Sequence, residues 1–287
     1  MTVYSHSRLS TFEQCPLKFK FRYIDYLEPD FKQSIEGFLG NKVHDTLEWI
    51  YREVKNGKTF ELDEVIQHFV ISWNNDFTNS IKIIKPDLNL EHYFNKGIKF
   101  LINYFMKHKP FKDNTIATEK KVFVNLDNKG EYKLIGYIDR LVHNRDLNIL
   151  EVHDYKTSSS IKSQQELDND RQLALYSIAI REEFKDAEDV HLIWHFLDFN
   201  QTLTSKRTSE QLEYLKQELI DLIIKIESTT DFPPNLGCLC NWCEFQSKCQ
   251  EFQKNINQIQ LTSKTCQSSL EDFNNHNNNN KIEENGN

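Results

Sequence analysis

Residues 134–157 read L-I-G-Y-I-D-R-L-V-H-N-R-D-L-N-I-L-E-V-H-D-Y-K-T and place two aspartates and a lysine where chemistry could follow. Asp139 lies in the first apolar run, Asp154 near the end of the second, and Lys156 two residues beyond it. The polar stretch 143–148 between the runs predicts two strands joined by a turn. Side chains alternate along a strand, so Leu150, Val152, Asp154 and Lys156 share one face. That face begins apolar and ends in a carboxylate and an ammonium group. Hard divalent cations take carboxylate oxygens, typically one or two of them together with waters and substrate phosphate. Asp139 and Asp154 would supply those oxygens from neighbouring strands, and the Tyr155 carbonyl could add a third. A lysine beside such an ion can orient the attacking water or stabilise charge on phosphorus oxygens. An ordinary surface ion pair fits D-x-K equally well, so the motif needs support from elsewhere in the chain.

Gln172 and Tyr176 lie four apart on the next helical stretch and so point the same way, within reach of Lys156 or of phosphate. Alone they read as one polar and one half-buried helix residue. His44, four residues after Gly40 on an earlier helical stretch, reads alone as a core histidine. Of the six cysteines, Cys238, Cys240, Cys243 and Cys249 fall within twelve residues, Cys15 lies near the start and Cys266 near the end. Cys240-x2-Cys243-x5-Cys249 offers three thiolates on one loop, and Cys15 could complete four. Four thiolates suit Zn²⁺ or an iron–sulfur cluster. A zinc ribbon would show a second C-x2-C pair, which is missing, and Cys238 could shift the assignment.

The elements that must position these groups follow from periodicity. Helices are expected over residues 37–54, 62–77, 90–108, 164–184 and 209–227, and strands around 122–124, in the two runs above, and over 190–199. Ser10 and Glu13 fit a capping box that would open a short helix carrying Cys15. The order, helices followed by β-β-β-α-β-α, predicts an α/β architecture: a mixed sheet with helices packed on it, behind an N-terminal helical insertion. Residues 261–287 are rich in Ser, Asn and Glu and are expected to form a disordered tail. With 38% hydrophobic residues, no long apolar window and no signal-peptide core, the chain is expected to be cytoplasmic with no membrane partner. A net charge of −8 does not advertise a nucleic-acid binder, although it can hide a local basic groove. Lys18, Lys20, Arg22 and Lys32, interleaved with Phe19, Phe21 and Tyr23, are the candidate, weighed against a solvated helix face and core aromatics.

Taken together, these motifs resemble the PD-(D/E)xK nuclease superfamily in its RecB-like branch with an iron–sulfur cluster. The branch includes the RecB and AddB nuclease domains and the CRISPR-adaptation nucleases. The resemblance rests on Gly40…His44, Gly136-Tyr-Ile-Asp139-Arg140, Asp154-Tyr-Lys156-Thr157, Gln172…Tyr176 and Cys240…Cys243…Cys249 with Cys15, spanning residues 5 to 250. It implies a restriction-endonuclease-like nuclease domain over residues 1–260. His44, Asp139, Asp154 and the Tyr155 carbonyl would bind Mg²⁺ or Mn²⁺, with Glu119 approaching the same ion. Lys156 would serve the nucleophilic water, and Gln172 and Tyr176 would complete the catalytic set. Cys15, Cys240, Cys243 and Cys249 would hold a 4Fe–4S cluster joining the two chain ends. The implied activity is exonucleolytic hydrolysis of single-stranded or frayed DNA ends in repair or recombination. The alternative is a non-catalytic DNA-binding or scaffold module of a helicase–nuclease or CRISPR-adaptation complex. No G-x-x-x-x-G-K-[ST] motif occurs, so unwinding would need a helicase partner.

Overall fold

The structure, a computed structural model, describes residues 3–255. A two-residue strand β1 (Tyr4–Ser5) leads into helices α1 (His6–Gln14) and α2 (Pro16–Tyr23). Ser5, not Ser10, caps α1, its side chain accepting from the Arg8 N–H, and Ser10 is buried inside the helix. The expected capping box is therefore absent, and Cys15 sits at the corner between two helices. Proline explains the corner: it disfavours helical geometry in the residue before it, and at N1 it begins a new helix. Cys15 itself caps α2.

A helical layer comes next. Strand β2 (Gln33–Ser34) precedes α3 (Ile35–Lys55) and α4 (Leu62–Asp76), and β3 (Ile81–Lys82) precedes α5 (Leu90–His108). In α3 the residues Ile35, Phe38, Leu39, Val43, Leu47 and Ile50 recur at helical spacing and are almost fully buried, against Phe69, Trp73, Phe100 and Tyr104 of α4 and α5. Each such side chain contributes about 1.5–3 kcal/mol on burial.

The sheet is formed by β4 (Thr115–Asn125), β5 (Lys133–Asn144), β6 (Ile149–Lys156), β7 (Asp189–Phe196) and β8 (Gln201–Lys206), with β1 completing it. Helices α6 (Gln164–Asp168) and α7 (Arg171–Glu183) link β6 to β7, and α8 (Ser209–Ser228) follows β8. The single helix expected over 164–184 is broken because Asp170 caps α7, accepting from the Gln172 and Leu173 N–H groups. Strand β8 went unrecognised from sequence. Its residues Q-T-L-T-S-K are mostly exposed, as an edge strand allows, and lack an apolar signal.

Leu150, Val152, Leu192 and Trp194 pack with α7 and α8 on one side of the sheet, while Tyr155 joins the α3–α5 layer on the other. Strand β4 pairs with β5 along nearly its whole length. The opposite edge of β5 is therefore shared: β1 pairs at Leu134 and Ile135, and β6 pairs from Arg140 onward. Among the described residues none is paired with 136–139 on that edge, so β5 and β6 part there and the sheet opens.

Candidate active site

Three features of the backbone bring the acidic groups to this opening. First, the β5–β6 register matches Arg140 with His153, so its next step sets Asp139 opposite Asp154. Second, Ile138 and Leu141, three residues apart, both pack beneath the sheet, so alternation slips at Asp139 and Arg140. Third, the β4–β5 register matches Thr118 with Arg140 and Lys120 with Ile138, which leaves Glu119 opposite Asp139. Glu119 has φ +45°, a left-handed conformation that costs a non-glycine residue about 1–3 kcal/mol. The strand expected only around 122–124 is thus longer, and Glu119 sits inside its eleven residues.

Side chains then converge. His44 of α3 has Nε2 2.7 Å from the Tyr155 carbonyl oxygen and Nδ1 3.4 Å from Asp139 Oδ2. Asp139 Oδ2 accepts from the Tyr155 N–H at 3.0 Å. Ligand atoms of His44, Glu119 and Asp139 all lie within 4.8 Å of one another. Lys156 Nζ donates to Asp154 Oδ1 at 3.0 Å and to Gln172 Oε1 at 3.3 Å. Gln172 Nε2 in turn donates to the Tyr176 hydroxyl at 3.5 Å. Gly136 explains how the last residue fits. A Cβ there would lie 2.1 Å from the Tyr176 ring, so the glycine and the tyrosine form one packed unit. The structure thus groups His44, Glu119 and Asp139, while Asp154, expected to share their ion, lies outside that group and joins Lys156, Gln172 and Tyr176 in an adjoining chain of contacts.

The electrostatics are those of a site short of positive charge. Burial alone would lower the pKa of His44, yet Asp139, Asp154 and Glu119 raise it to about 9. Burial opposes ionisation of Asp139, but His44 and the Tyr155 N–H hold its pKa below the usual range. Asp154 is pushed up, first by burial and then by Asp139, against the opposing pull of Lys156. Burial disfavours charge on Lys156, yet Asp154 and Asp170 raise its pKa, so it remains an ammonium. Asp154 Oδ2 lies 2.8 Å from that ammonium but makes no hydrogen bond and is buried. Clustered carboxylates, one of them with an oxygen held only by an ion pair, and a histidine that holds a proton above its ordinary pKa fit a divalent cation.

Some roles escaped the sequence. Arg140, adjacent to Asp139, points to the other face of the sheet. It pairs with Asp113 and donates to Tyr155 Oη and towards His153 Nδ1, each at 2.8 Å. It therefore braces the strand ends rather than lining the site. Asp170 was also missed, although N-D-R-Q before an apolar helical run is a recognisable cap. Asp146, in the turn, is exposed.

The cysteine residues gather elsewhere. Cys15, Cys238, Cys240, Cys243 and Cys249 line one cavity of about 180 Å³ between α2 and two short 3₁₀ turns, Cys238–Trp242 and Gln246–Lys248. Cys15 Sγ accepts N–H groups from Lys18 at 3.5 Å and Asn235 at 3.4 Å, and Cys240 Sγ accepts from Gly237 at 3.4 Å. Among the described residues no three cysteine sulfurs lie within 4.8 Å of one another. Thiolates around one Zn²⁺ would sit about 3.8 Å apart. Burial raises the Cys243 thiol to about 12. The candidate basic strip is spent here: Lys18 and Arg22 pair with the buried Glu244, while Phe19 and Tyr23 enter the core. Cys266 and the expected tail lie outside the described residues. No helix among the described residues is long and apolar enough to cross a membrane.

Comparison with known proteins follows the same lines. The family model described as the PD-(D/E)XK nuclease superfamily matches residues 3–250. No curated protein matches the sequence. Among solved structures, the chain superposes on a protein from Eubacterium rectale, named only provisionally as an exonuclease, with TM-score 0.47 and 12% identity over 88% of both chains. It also superposes on the protein SSO0001 with TM-score 0.34 and 20% identity, over 56% of this chain and 71% of that one.

Proposed function

The chain belongs to the PD-(D/E)XK nuclease superfamily, and from that premise we propose a metal-dependent DNA nuclease of the RecB-like, iron–sulfur branch. Its substrate would be single-stranded or frayed DNA ends, cut exonucleolytically in repair or recombination, with residues 1–260 as the nuclease domain. The observation that carries this reading is the close group of His44, Glu119 and Asp139 at the open edge of β5, beside the buried Asp154–Lys156 pair.

His44, Glu119, Asp139, Asp154 and the Tyr155 carbonyl would hold Mg²⁺ or Mn²⁺. When bound, the ion would supply Lewis acidity at the phosphate and a water of lowered pKa. Lys156, kept protonated, cannot act as a base; it orients the attacking water and offsets charge on the phosphorus oxygens. Gln172 fixes the ammonium and Tyr176 fixes Gln172. Away from the chemistry, Cys15, Cys240, Cys243 and Cys249 would hold a 4Fe–4S cluster. What supports this reading is that the four line one cavity and that two of the sulfurs accept backbone N–H groups.

The test is digestion of end-labelled single- and double-stranded DNA with Mg²⁺ or Mn²⁺, comparing wild type with Asp154→Ala and Lys156→Ala. Each variant should lose at least about a hundredfold in rate. Equal digestion by all three proteins would remove the catalytic assignment. Metal-independent binding without cleavage would leave a scaffold module.

A further inference from the structure

Tyr155 meets the site with its backbone, while its ring packs on the opposite face of the sheet. In an antiparallel ladder a residue sends its N–H and C=O to the same neighbouring strand. Strand β6 is paired with β5 only as far as His153, so at Tyr155 side chains take the place of the missing partner. The N–H donates to Asp139 Oδ2 at 3.0 Å, and the carbonyl oxygen lies 2.7 Å from His44 Nε2. The orientation of this one residue therefore governs where both groups sit. Its side chain is anchored in turn: Tyr155 Oη accepts from Arg140 Nε at 2.8 Å and lies 3.4 Å from Tyr104 Oη. Arg140 is 1% exposed and is gripped from three further directions. Asp113 pairs with it, His153 Nδ1 lies 2.8 Å from Nη2, and the Tyr51 ring centroid lies 4.1 Å from Cζ. A planar guanidinium held in this way is a fixed donor. Asp139 and Arg140 are consecutive, so the contacts close a ring. Asp139 accepts from the Tyr155 N–H, the Tyr155 hydroxyl accepts from Arg140, and the chain leads from Arg140 back to Asp139.

We propose that Arg140 is a positioning residue of the divalent-cation site: it fixes the Tyr155 hydroxyl, so that the Tyr155 backbone holds Asp139 and His44 in register for the ion. The inference rests on the metal-dependent reading above. Arg140 acts from the far face of the sheet and through Tyr155. Its own positive charge works against a bound cation. Positioning and bare charge therefore predict opposite signs: loss of Arg140 weakens metal binding by the first and tightens it by the second.

The experiment titrates Mn²⁺ into the metal-free full-length protein in a calorimeter at one pH, with thermal unfolding of each sample alongside. It compares wild type, Tyr155→Phe, Arg140→Gln, the Arg140→Gln/Tyr155→Phe double variant and Asp113→Asn. Tyr155→Phe and Arg140→Gln should each bind Mn²⁺ at least about tenfold more weakly, as loss of a contact that orients metal ligands does. The double variant should bind no more weakly than the weaker single, because both substitutions remove the same contact. Asp113→Asn takes a partner from Arg140 but leaves the bond to Tyr155, so it should lower Tm while its affinity stays that of wild type. Unchanged or tighter binding by Tyr155→Phe and Arg140→Gln overturns the positioning. So does an Asp113→Asn loss as large as theirs, or losses that add in the double variant. Wild type that binds no Mn²⁺ overturns the metal reading itself, and the positioning with it. Should Arg140→Gln not fold, Tyr155→Phe, which removes one oxygen and no charge, decides.

Discussion

The carboxylate site at the open edge of β5 and the cysteine cavity between the chain ends are both suited to positive charge, but they wait for it differently. At the sheet edge, ionised groups are already in place, and a proton on His44 with the Lys156 ammonium balances them. In the cysteine cavity, burial keeps Cys240 and Cys243 protonated, and the thiols would ionise only when metal arrives. The first site is set by a sheet and two helices that fold for other reasons. The second lies between short turns outside the two main cores; among the described residues Trp242 forms a small cluster of its own with Leu239 and Ile84, and Phe245 packs against Phe21. Charge in the first place depends on the fold; in the second, on the iron–sulfur reading proposed above, the fold would depend on charge.

Substitutions can break this contrast. Cys243→Ser should cost the most stability, about 3–5 kcal/mol or roughly 10 °C in Tm, because ligation and folding are coupled. Asp154→Asn should leave Tm nearly unchanged or higher, because it removes a carboxylate that burial disfavours. Thermal unfolding by circular dichroism that showed the reverse order would dissolve the distinction.

Next in size is the response to pH. The folded pKa of His44 is about 9, above its unfolded value near 6.5, so its stabilising effect is complete below pH 6.5 and disappears as pH rises through 9. Metal-free protein should therefore lose on the order of 3 kcal/mol between those limits. Mn²⁺ affinity should move the other way, rising nearly tenfold per pH unit towards pH 9 as the proton is displaced. Calorimetry in two buffers of different ionisation enthalpy would detect that proton, and His44→Gln should abolish its release.

Gly136→Ala is a smaller step, costing about 1–3 kcal/mol as the new methyl meets the Tyr176 ring. Adding Tyr176→Ala should restore part of the stability but not the nuclease rate, which separates packing from positioning. Asp146→Asn should change neither by more than about 0.5 kcal/mol.

The hairpin of β5 and β6 was legible because alternation and a polar turn fix both its faces and its register. The α5 boundaries were legible too, since an apolar stripe and the Asn89 cap mark them. Other features depended on contacts between distant residues. The slip at Asp139 and Arg140 has no local signature, and neither does the left-handed backbone of Glu119. The sequence showed Gly136 and Tyr176 as members of two separate motifs, when one exists to accommodate the ring of the other. Likewise, Lys18 and Arg22 read as a basic strip until Glu244, more than two hundred residues later, proved to be their partner.

That long separation has a consequence in the cell. The corner at Cys15 is closed by Asn235, whose N–H reaches the sulfur and whose side-chain amide donates to the Gln14 carbonyl. A ribosome adding about 5–20 residues per second needs roughly ten to forty seconds to make the intervening chain. Throughout that interval the first helices have emerged without the segment that seals them. The corner, and the stacking of Phe19 on Phe232, can therefore form only after most of the chain has been made, so this end of the core is completed last during synthesis.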